Sequence, residues 1–174
     1  VRESVRHIVG VQFRNLATVG GSIYGRYGFS DVLTMFLAMD SYVELYKGGI
    51  IPLREYAKMP YDRDILVRLI VKKKRHRLIT SPSATRRPIF RSSPCRGKDR
   101  SRIRFAIGAR PGKAVLFELS NEDMKDKNVE NIAEYAAKCV KEQIVTGSNT
   151  RGSAEYRNHL AGVLVRRAVC KLGE

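Results

Sequence analysis

A glycine-rich stretch near the start of the chain has the residue types that hold an anion. In RNLATVGGSI, the hydroxyl group of Thr18 precedes the backbone N–H groups of Gly20 and Gly21. Backbone without side chains allows a ligand to approach closely, and successive N–H groups form a concave site for an anion such as phosphate. The alternative is an ordinary turn, because glycine also relieves strain where a chain reverses. We expect an extended stretch from Val11 to lead into this glycine turn.

The sequence lacks the better-known signatures of catalytic and metal chemistry. It contains neither a G-x-G-x-x-G fingerprint nor a G-x-x-x-x-G-K-[ST] loop, and no serine lies in a G-x-S-x-G elbow. Cys95, Cys139 and Cys170 form no C-x-x-C pair, and the three histidines are equally scattered. We therefore predict no catalytic residue and no metal site. Widely spaced cysteines without a secretory signal indicate reduced thiols in the cytoplasm.

The positive charge of the chain is concentrated in one segment. The net charge is +16, and residues Lys72–Arg104 account for +12 of it, with thirteen Lys and Arg against the single acid Asp99. Such a segment is typical of nucleic-acid binding, because phosphate contacts release counterions. A solvated linker or a docking surface for an acidic partner has the same composition. The longest apolar run, Val32–Met39, is much shorter than the roughly 20 residues that span a bilayer, so we predict no membrane partner.

The hydrophobic pattern of the first part predicts a mixture of helix and antiparallel strand. We expect Arg2–Gly10 to be the end of a helix, and a short amphipathic helix with one buried stripe to start at the Ser30-Asp31 cap. A hairpin should turn at Lys47-Gly48-Gly49. Asp64–Val71 alternates as a strand does, and its pattern places Ile65, Val67, Leu69 and Val71 on one face.

The later part of the chain predicts a strand pair followed by two helices. No regular element is expected between Lys72 and Arg100. A strand should contain Ile103, Phe105 and Ile107, and helices should cover Asn128–Ile144, with Gly147 ending the first, and the stretch from the Ser153 cap to Gly173. The chain is therefore predicted to be α+β, with one part over residues 1–71, a basic linker or insertion over 72–101 and a second part over 102–174.

Several segments resemble, in the same order, the FAD-binding subunit of the molybdenum hydroxylases, the xanthine and carbon monoxide dehydrogenase family. The similar segments are RNLATVGGSI, Ser30-Asp31, LAMDSYVEL, IPLREYAK, DILVRLIV, the pair Arg86-Arg87, IGARPGKAVLFE and TRGSAEYRNHLAGVLVRRA. The resemblance weakens between Lys72 and Arg102. It implies the second subdomain of an FAD-binding domain, without the first subdomain, followed by a small C-terminal subdomain of antiparallel sheet and helices.

The resemblance implies that the glycine turn lies against the pyrophosphate of FAD. The cofactor-binding residues that it implies are Thr18, Val19, Gly20, Gly21, Ser22, Asp31 and Leu66. In the family, the threonine and the two glycine N–H groups hold phosphate oxygens, the aspartate hydrogen-bonds a polar part of the cofactor, and the leucine packs near the adenine or the flavin ring. Ser22 stands where the family usually has asparagine, and Pro82 stands about where some members have a lysine. Tyr24, Tyr27 and Phe29 are candidates either for stacking on the flavin or for packing the turn.

The function that the resemblance implies is that of an oxidoreductase subunit with FAD as its cofactor. Hydroxylation would occur on a molybdopterin-binding subunit, and electrons would pass through a 2Fe–2S subunit and FAD to NAD or another acceptor. A separate chain would supply the first FAD subdomain. Two alternatives stay open: a basic nucleic-acid-binding module that uses Lys72–Arg104, and a truncated flavin-subunit remnant that binds no cofactor.

Overall fold

Two antiparallel sheets and the helices around them make up the fold. The computed structural model describes residues 5, 8, 10–61, 63–73, 77–79, 81–82, 91–96, 102–125 and 127–173. The helices are α1 (Val11–Leu16), α2 (Val19–Tyr24), α3 (Asp31–Ala38), α4 (Leu53–Tyr56), α5 (Asn121–Met124), α6 (Val129–Gln143) and α7 (Ala154–Gly173). The strands are β1 (Ser41–Leu45), β2 (Gly49–Pro52), β3 (Leu66–Val71), β4 (Arg77–Leu78), β5 (Ser81–Pro82), β6 (Arg91–Arg96), β7 (Arg102–Gly108) and β8 (Val115–Ser120). The predicted α+β class is confirmed, whereas most of the helix predicted over Arg2–Gly10 lies outside the described residues.

The first sheet has three strands, and β1 lies between β2 and β3. The predicted hairpin is confirmed, because β1 and β2 pair across the turn after Leu45. A β-bulge in β3 changes which of its residues face the core. Its pairing with β1 moves from Glu44 opposite Arg68 to Leu45 opposite Leu66, which leaves Val67 as the extra residue. Leu66 therefore shares the core face with Leu69, and the prediction that put Val67 on the face of Leu69 was wrong.

The second sheet has the order β4–β6–β7–β8, and β5 also pairs with β6. All of its pairings are antiparallel. The prediction of no regular element between Lys72 and Arg100 was wrong for the residues described there, since β6 pairs with β7 along its whole length. Pairing with β6 satisfies the backbone groups of β7 that an open sheet edge would leave without partners. The division of the chain after residues 71 and 101 stays a prediction.

Helices α6 and α7 cover one face of the second sheet. Alternate residues of β7, Ile103, Phe105 and Ile107, pack with apolar residues of the two helices such as Val140 and Val165. The strand and both helices were predicted from these spacings, and all three are confirmed. Helix α6 ends at Gln143, with Ile144 as its C-cap, and so it stops before the predicted Gly147.

Helix α3 is buried on all sides between the two sheets. Every residue from Val32 to Ala38 is buried. Helix α3 shares one core with Val43 of β1 and Leu69 of β3, and it contacts β7, whose Ala106 belongs to the same core. The prediction of a single buried stripe was wrong, because every residue from Val32 to Ala38 is buried and the helix also contacts strands β6 and β7 of the second sheet. A helix that is apolar all round belongs in a core.

Close contacts of the α2–α3 connection and α3 with strand β7 and the β7–β8 connection require glycine. The N–H group of Ala109 donates a hydrogen bond to the carbonyl of Gly28 at 2.6 Å. A Cβ atom on Gly28 would lie 1.6 Å from the carbonyl oxygen of Gly112, and one on Gly108 would lie 2.6 Å from Thr34 Oγ1. The α2–α3 connection can approach the β7–β8 connection this closely only because these positions lack side chains.

We expect Gly28→Ala to lower the free energy of unfolding by about 3 kcal/mol or more, since the new methyl group meets backbone that no side-chain rotation can move. In a protein of this size the melting temperature should fall by about 6–12 °C. Gly20→Ala is the matched control, because a Cβ on Gly20 meets no described atom within 4 Å. Thermal unfolding of the two variants measures the difference, and equal melting temperatures would contradict this contact.

We expect Asp64→Asn to destabilise the protein near pH 7 and to cost less stability near about pH 2. The Asp64 carboxylate accepts hydrogen bonds from the N–H groups of Lys47 and Gly48, at 3.0 and 2.8 Å. Burial opposes ionisation, but these bonds and one from Ile65 lower the pKa of Asp64 below its usual 3.8. A lowered carboxylate pKa stabilises the fold above the unfolded-state value, and that stabilisation is lost as the pH falls through the folded-state pKa. Urea unfolding at both pH values tests this, and a deficit that persists undiminished in acid would contradict it.

Candidate cofactor-binding site

The predicted glycine turn is the first turn of a helix. Thr18 is the N-cap of α2, and its Oγ1 atom accepts a hydrogen bond from the N–H group of Gly21 at 3.0 Å. The expected extended stretch from Val11 was wrong, because α1 and α2 occupy it. The threonine cap favours a helix start here, because it satisfies one of the N–H groups that the first turn leaves without a partner. Thr18 itself keeps the extended backbone typical of an N-cap.

Two backbone N–H groups at the start of α2 have no acceptor within the described part of the chain. These are the groups of Val19 and Gly20, whereas the N–H groups of Gly21 and Ser22 are used by Thr18. The first N–H groups of a helix lack partners inside it and need a cap, water or a ligand. Of the two glycine N–H groups predicted to hold phosphate, that of Gly20 is therefore available, and that of Gly21 is taken by the cap.

The fold itself does not explain why position 20 is glycine. Its φ angle is not positive, and a Cβ atom there would meet no described atom within 4 Å. Glycine in a helix is about 1 kcal/mol less favourable than alanine. Because neither conformation nor packing requires glycine, the open space beside Gly20 fits a ligand that lies directly against the backbone. The residues present therefore fit the pyrophosphate of FAD.

A chain of hydrogen bonds joins α2 to the start of α3. Ser22 Oγ donates to the carbonyl oxygen of Thr18 at 2.8 Å, and Ser30 Oγ donates to the carbonyl oxygen of Ser22 at 3.1 Å. Ser30 is the N-cap of α3, and it accepts a hydrogen bond from Leu33. Asp31 is the first residue of α3, a position that favours a carboxylate. The structure thus brings Asp31 close to the Thr18–Ser22 turn.

Leu66 lies at the start of β3 and is partly buried. It packs against the same core cluster as Ile23 of α2, and α2 contacts β3 directly. Its exposed neighbours Ile65 and Val67 are not part of that cluster. The structure therefore places Leu66 beside α2, with its side chain directed mainly to the core.

Arg26 holds the end of α2 in place, and the sequence patterns did not indicate it. It is 2% exposed, and its Nη1 atom donates to the carbonyl oxygens of Met59 and Pro60 at 3.1 and 2.8 Å. Its guanidinium carbon lies 4.4 Å from the ring centroid of Tyr56 and 4.7 Å from that of Tyr61, within the range of cation–π attraction. Local sequence patterns do not predict these contacts of Arg26, because every one of these partners is at least thirty residues away in the sequence.

Two aromatic residues of the α2–α3 connection form an exposed pair. The rings of Tyr27 and Phe29 stack with centroids 5.2 Å apart and an interplanar angle of 11°. Tyr27 is 54% exposed and Phe29 is 71% exposed. Much of both rings is open to a ligand, whereas the Tyr27 ring also packs against the turn, since a Cβ atom on Gly25 would lie 2.6 Å from its Cε2 atom. Stacking on the flavin and packing of the turn both stay predictions.

Neither a cluster of metal ligands nor a membrane-spanning helix is found among the described residues. In those residues, no group of three or more His, Cys, Asp or Glu side chains is placed to hold a metal ion. Helices that are both long and apolar enough to cross a membrane are absent from the same part of the chain.

Two family models match the sequence, one after the other. Residues 1–74 match the FAD binding domain in molybdopterin dehydrogenase, and residues 90–172 match the CO dehydrogenase flavoprotein C-terminal domain. A curated relative, the uncharacterized protein YgfM of Escherichia coli (strain K12), is 27% identical over 173 residues. The match covers 95% of this chain and 62% of that relative.

Solved structures share the fold at low sequence identity. Carbon monoxide dehydrogenase from Hydrogenophaga pseudoflava matches with a TM-score of 0.79 and 18% identity, over 95% of this chain and 63% of that chain. CO dehydrogenase from Oligotropha carboxidovorans gives 0.77 and 17%, over 95% and 64%, and quinoline 2-oxidoreductase from Pseudomonas putida 86 gives 0.74 and 18%, over 98% and 65%. The chain thus spans somewhat less than two thirds of the length of the relatives it matches.

We expect Thr18→Ala to lower the free energy of unfolding by about 1 kcal/mol, because the Gly21 N–H group loses its acceptor. Thr18→Ser keeps the hydroxyl group and is the matched control, with a much smaller expected loss. Urea unfolding of the two variants beside the unmodified protein measures both losses. If serine costs as much as alanine, the cap does not stabilise α2.

Proposed function

Because the chain belongs to the family of FAD-binding subunits of the molybdenum hydroxylases, whose cofactor is FAD, we propose that it is the electron-transfer subunit of such an enzyme. In this proposal the electrons come from a 2Fe–2S subunit and leave for NAD or another acceptor. The enzyme is an oxidoreductase of the xanthine dehydrogenase type, and the chain acts only within the assembled complex. The cytoplasmic location stays a prediction from the cysteine pattern.

The observation that carries the proposal is the open space beside Gly20 together with the two available N–H groups. We assign the N–H groups of Val19 and Gly20 to the pyrophosphate of FAD, with the Thr18 hydroxyl beside them. Asp31 would bind a polar part of the cofactor, and Leu66 would pack near a ring. Bound FAD supplies the redox chemistry, and the protein positions it.

The proposed partners follow from the multi-subunit type of the enzyme. They are a molybdopterin-binding subunit and a 2Fe–2S subunit, with a separate chain as the source of the first FAD subdomain. In the described residues, no observation favours the nucleic-acid alternative, and much of the basic segment Lys72–Arg104 lies outside them. The cofactor-free remnant is the alternative that the following experiment distinguishes.

We expect the 174-residue chain to keep a visible flavin spectrum after incubation with FAD and desalting. Gly20→Ala should weaken FAD binding about tenfold, because the methyl group occupies the space of the pyrophosphate, and should raise the melting temperature of the FAD-free protein slightly. A double variant, Thr18→Ala with Gly21→Val, should also lose FAD. Gly152→Ala is the control, since its Cβ meets Tyr156 at an ordinary 3.5 Å in the loop before α7.

The outcomes separate the hypotheses. Unchanged FAD affinity in Gly20→Ala would remove this turn from the site. A protein that unfolds cooperatively but retains no flavin would favour the remnant.

A further inference from the structure

A cavity of about 190 Å³ lies between the two sheets, away from the candidate FAD site. Its wall includes Ser41, at the end of β1 that pairs with Val71, whereas the other end of β1 pairs with Leu66. The two ends of β1 are about 13 Å apart at the rise of a β-strand. The cavity and the glycine turn are therefore separate sites.

Ser41 contributes a buried hydroxyl group that lacks a hydrogen-bond partner. It is 6% exposed, and its Oγ atom makes no hydrogen bond within the described part of the chain. The next residues on this face of β1, Val43 and Leu45, are apolar and buried. A buried hydroxyl group without a partner costs about 1–3 kcal/mol. Because Ser41 lines the cavity, a ligand bound there can form the hydrogen bond that this hydroxyl group lacks.

The rest of the polar wall carries an excess of positive charge. It contains Arg54, Arg102 and Arg104 together with Asp40 and Glu118. Arg104 is compensated, because its Nε atom lies 2.8 Å from Glu118 Oε1 across β7 and β8. This approach is an ion pair without hydrogen-bond geometry, so the buried Oε1 atom also accepts no hydrogen bond.

Two of these arginines have no acidic partner among the described residues. Neither Arg54 nor Arg102 forms an ion pair within the described residues. Guanidinium groups present paired N–H donors that match the oxygens of a carboxylate or a phosphate. The remaining wall is apolar and includes Leu53 and Leu116. The surface that the wall presents to the cavity is mainly polar, so hydrogen-bond donors and charged groups dominate it.

We propose that this cavity binds a small molecule that carries an oxyanion, either a carboxylate or a phosphate. Arg54 and Arg102 bind the anion, and the Ser41 hydroxyl group donates a hydrogen bond to it. The volume is below the range of about 300–1,000 Å³ that holds larger ligands, so the molecule is small. Because Ser41 belongs to the first sheet and Arg102 to the second, such a ligand links the two sheets. The proposal does not depend on FAD binding.

Thermal unfolding of the 174-residue protein with inorganic phosphate or propionate tests the proposal. Ionic strength is held constant with chloride, which serves as the reference. A ligand that binds only the folded state raises the melting temperature in a saturable way. We expect at least one of the two probes to do so beyond chloride, and the effective probe identifies the oxyanion. No stabilisation by either probe would overturn the proposal.

Two variants connect the stabilisation to this cavity. Arg102→Gln should weaken the apparent affinity at least tenfold, whereas Arg167→Gln, which removes an exposed charge of α7, should leave it unchanged. Ser41→Ala should weaken the affinity about tenfold and leave the ligand-free protein as stable or more stable, because a buried hydroxyl group without a partner is removed. Full affinity in both Arg102→Gln and Ser41→Ala would overturn the proposal, since the probe would then bind elsewhere.

Discussion

The burial of helix α3 between two sheets is the constraint on which the rest of the structure depends. A helix whose residues Val32–Ala38 are all buried is stable only when both sheets close on it. The first sheet supplies one wall through Val43 and Leu69, and the second supplies another through Ala106. The two halves of the chain therefore share one core around this helix, beside the separate core that α6 and α7 form.

The same constraint positions the candidate cofactor site. The N-terminus of α3 carries Asp31, and its cap Ser30 hydrogen-bonds to Ser22 in α2. Arg26 then fixes the end of α2 to the loop after α4. The glycine turn is thus attached to the core on its C-terminal side, although the turn itself is exposed. A rigid attachment of this kind suits a site that must hold a cofactor in one orientation.

The elements that could be predicted from the sequence are those with a regular local pattern. The alternation of Ile103, Phe105 and Ile107 and the helical spacings of α6 and α7 indicated those elements, because each packs one face against one partner. The pattern failed where an element meets two partners or changes register. Helix α3 was expected to have an exposed face, but all of its residues from Val32 to Ala38 are buried. The bulge at Val67 reversed which residues at the start of β3 face the core.

The sequence by itself determined the anion-binding residue types around Thr18 and Gly20 and the family that these segments resemble, because both depend on residues adjacent in the chain. The structure decided which N–H groups are available, because the stretch forms a helix and its Thr18 cap takes one of the two glycine N–H groups. It alone also brought Arg26 to its tyrosines and Ser41 to Arg102. Those contacts join residues that are far apart in the sequence, and only the packing of the two sheets around α3 places them together.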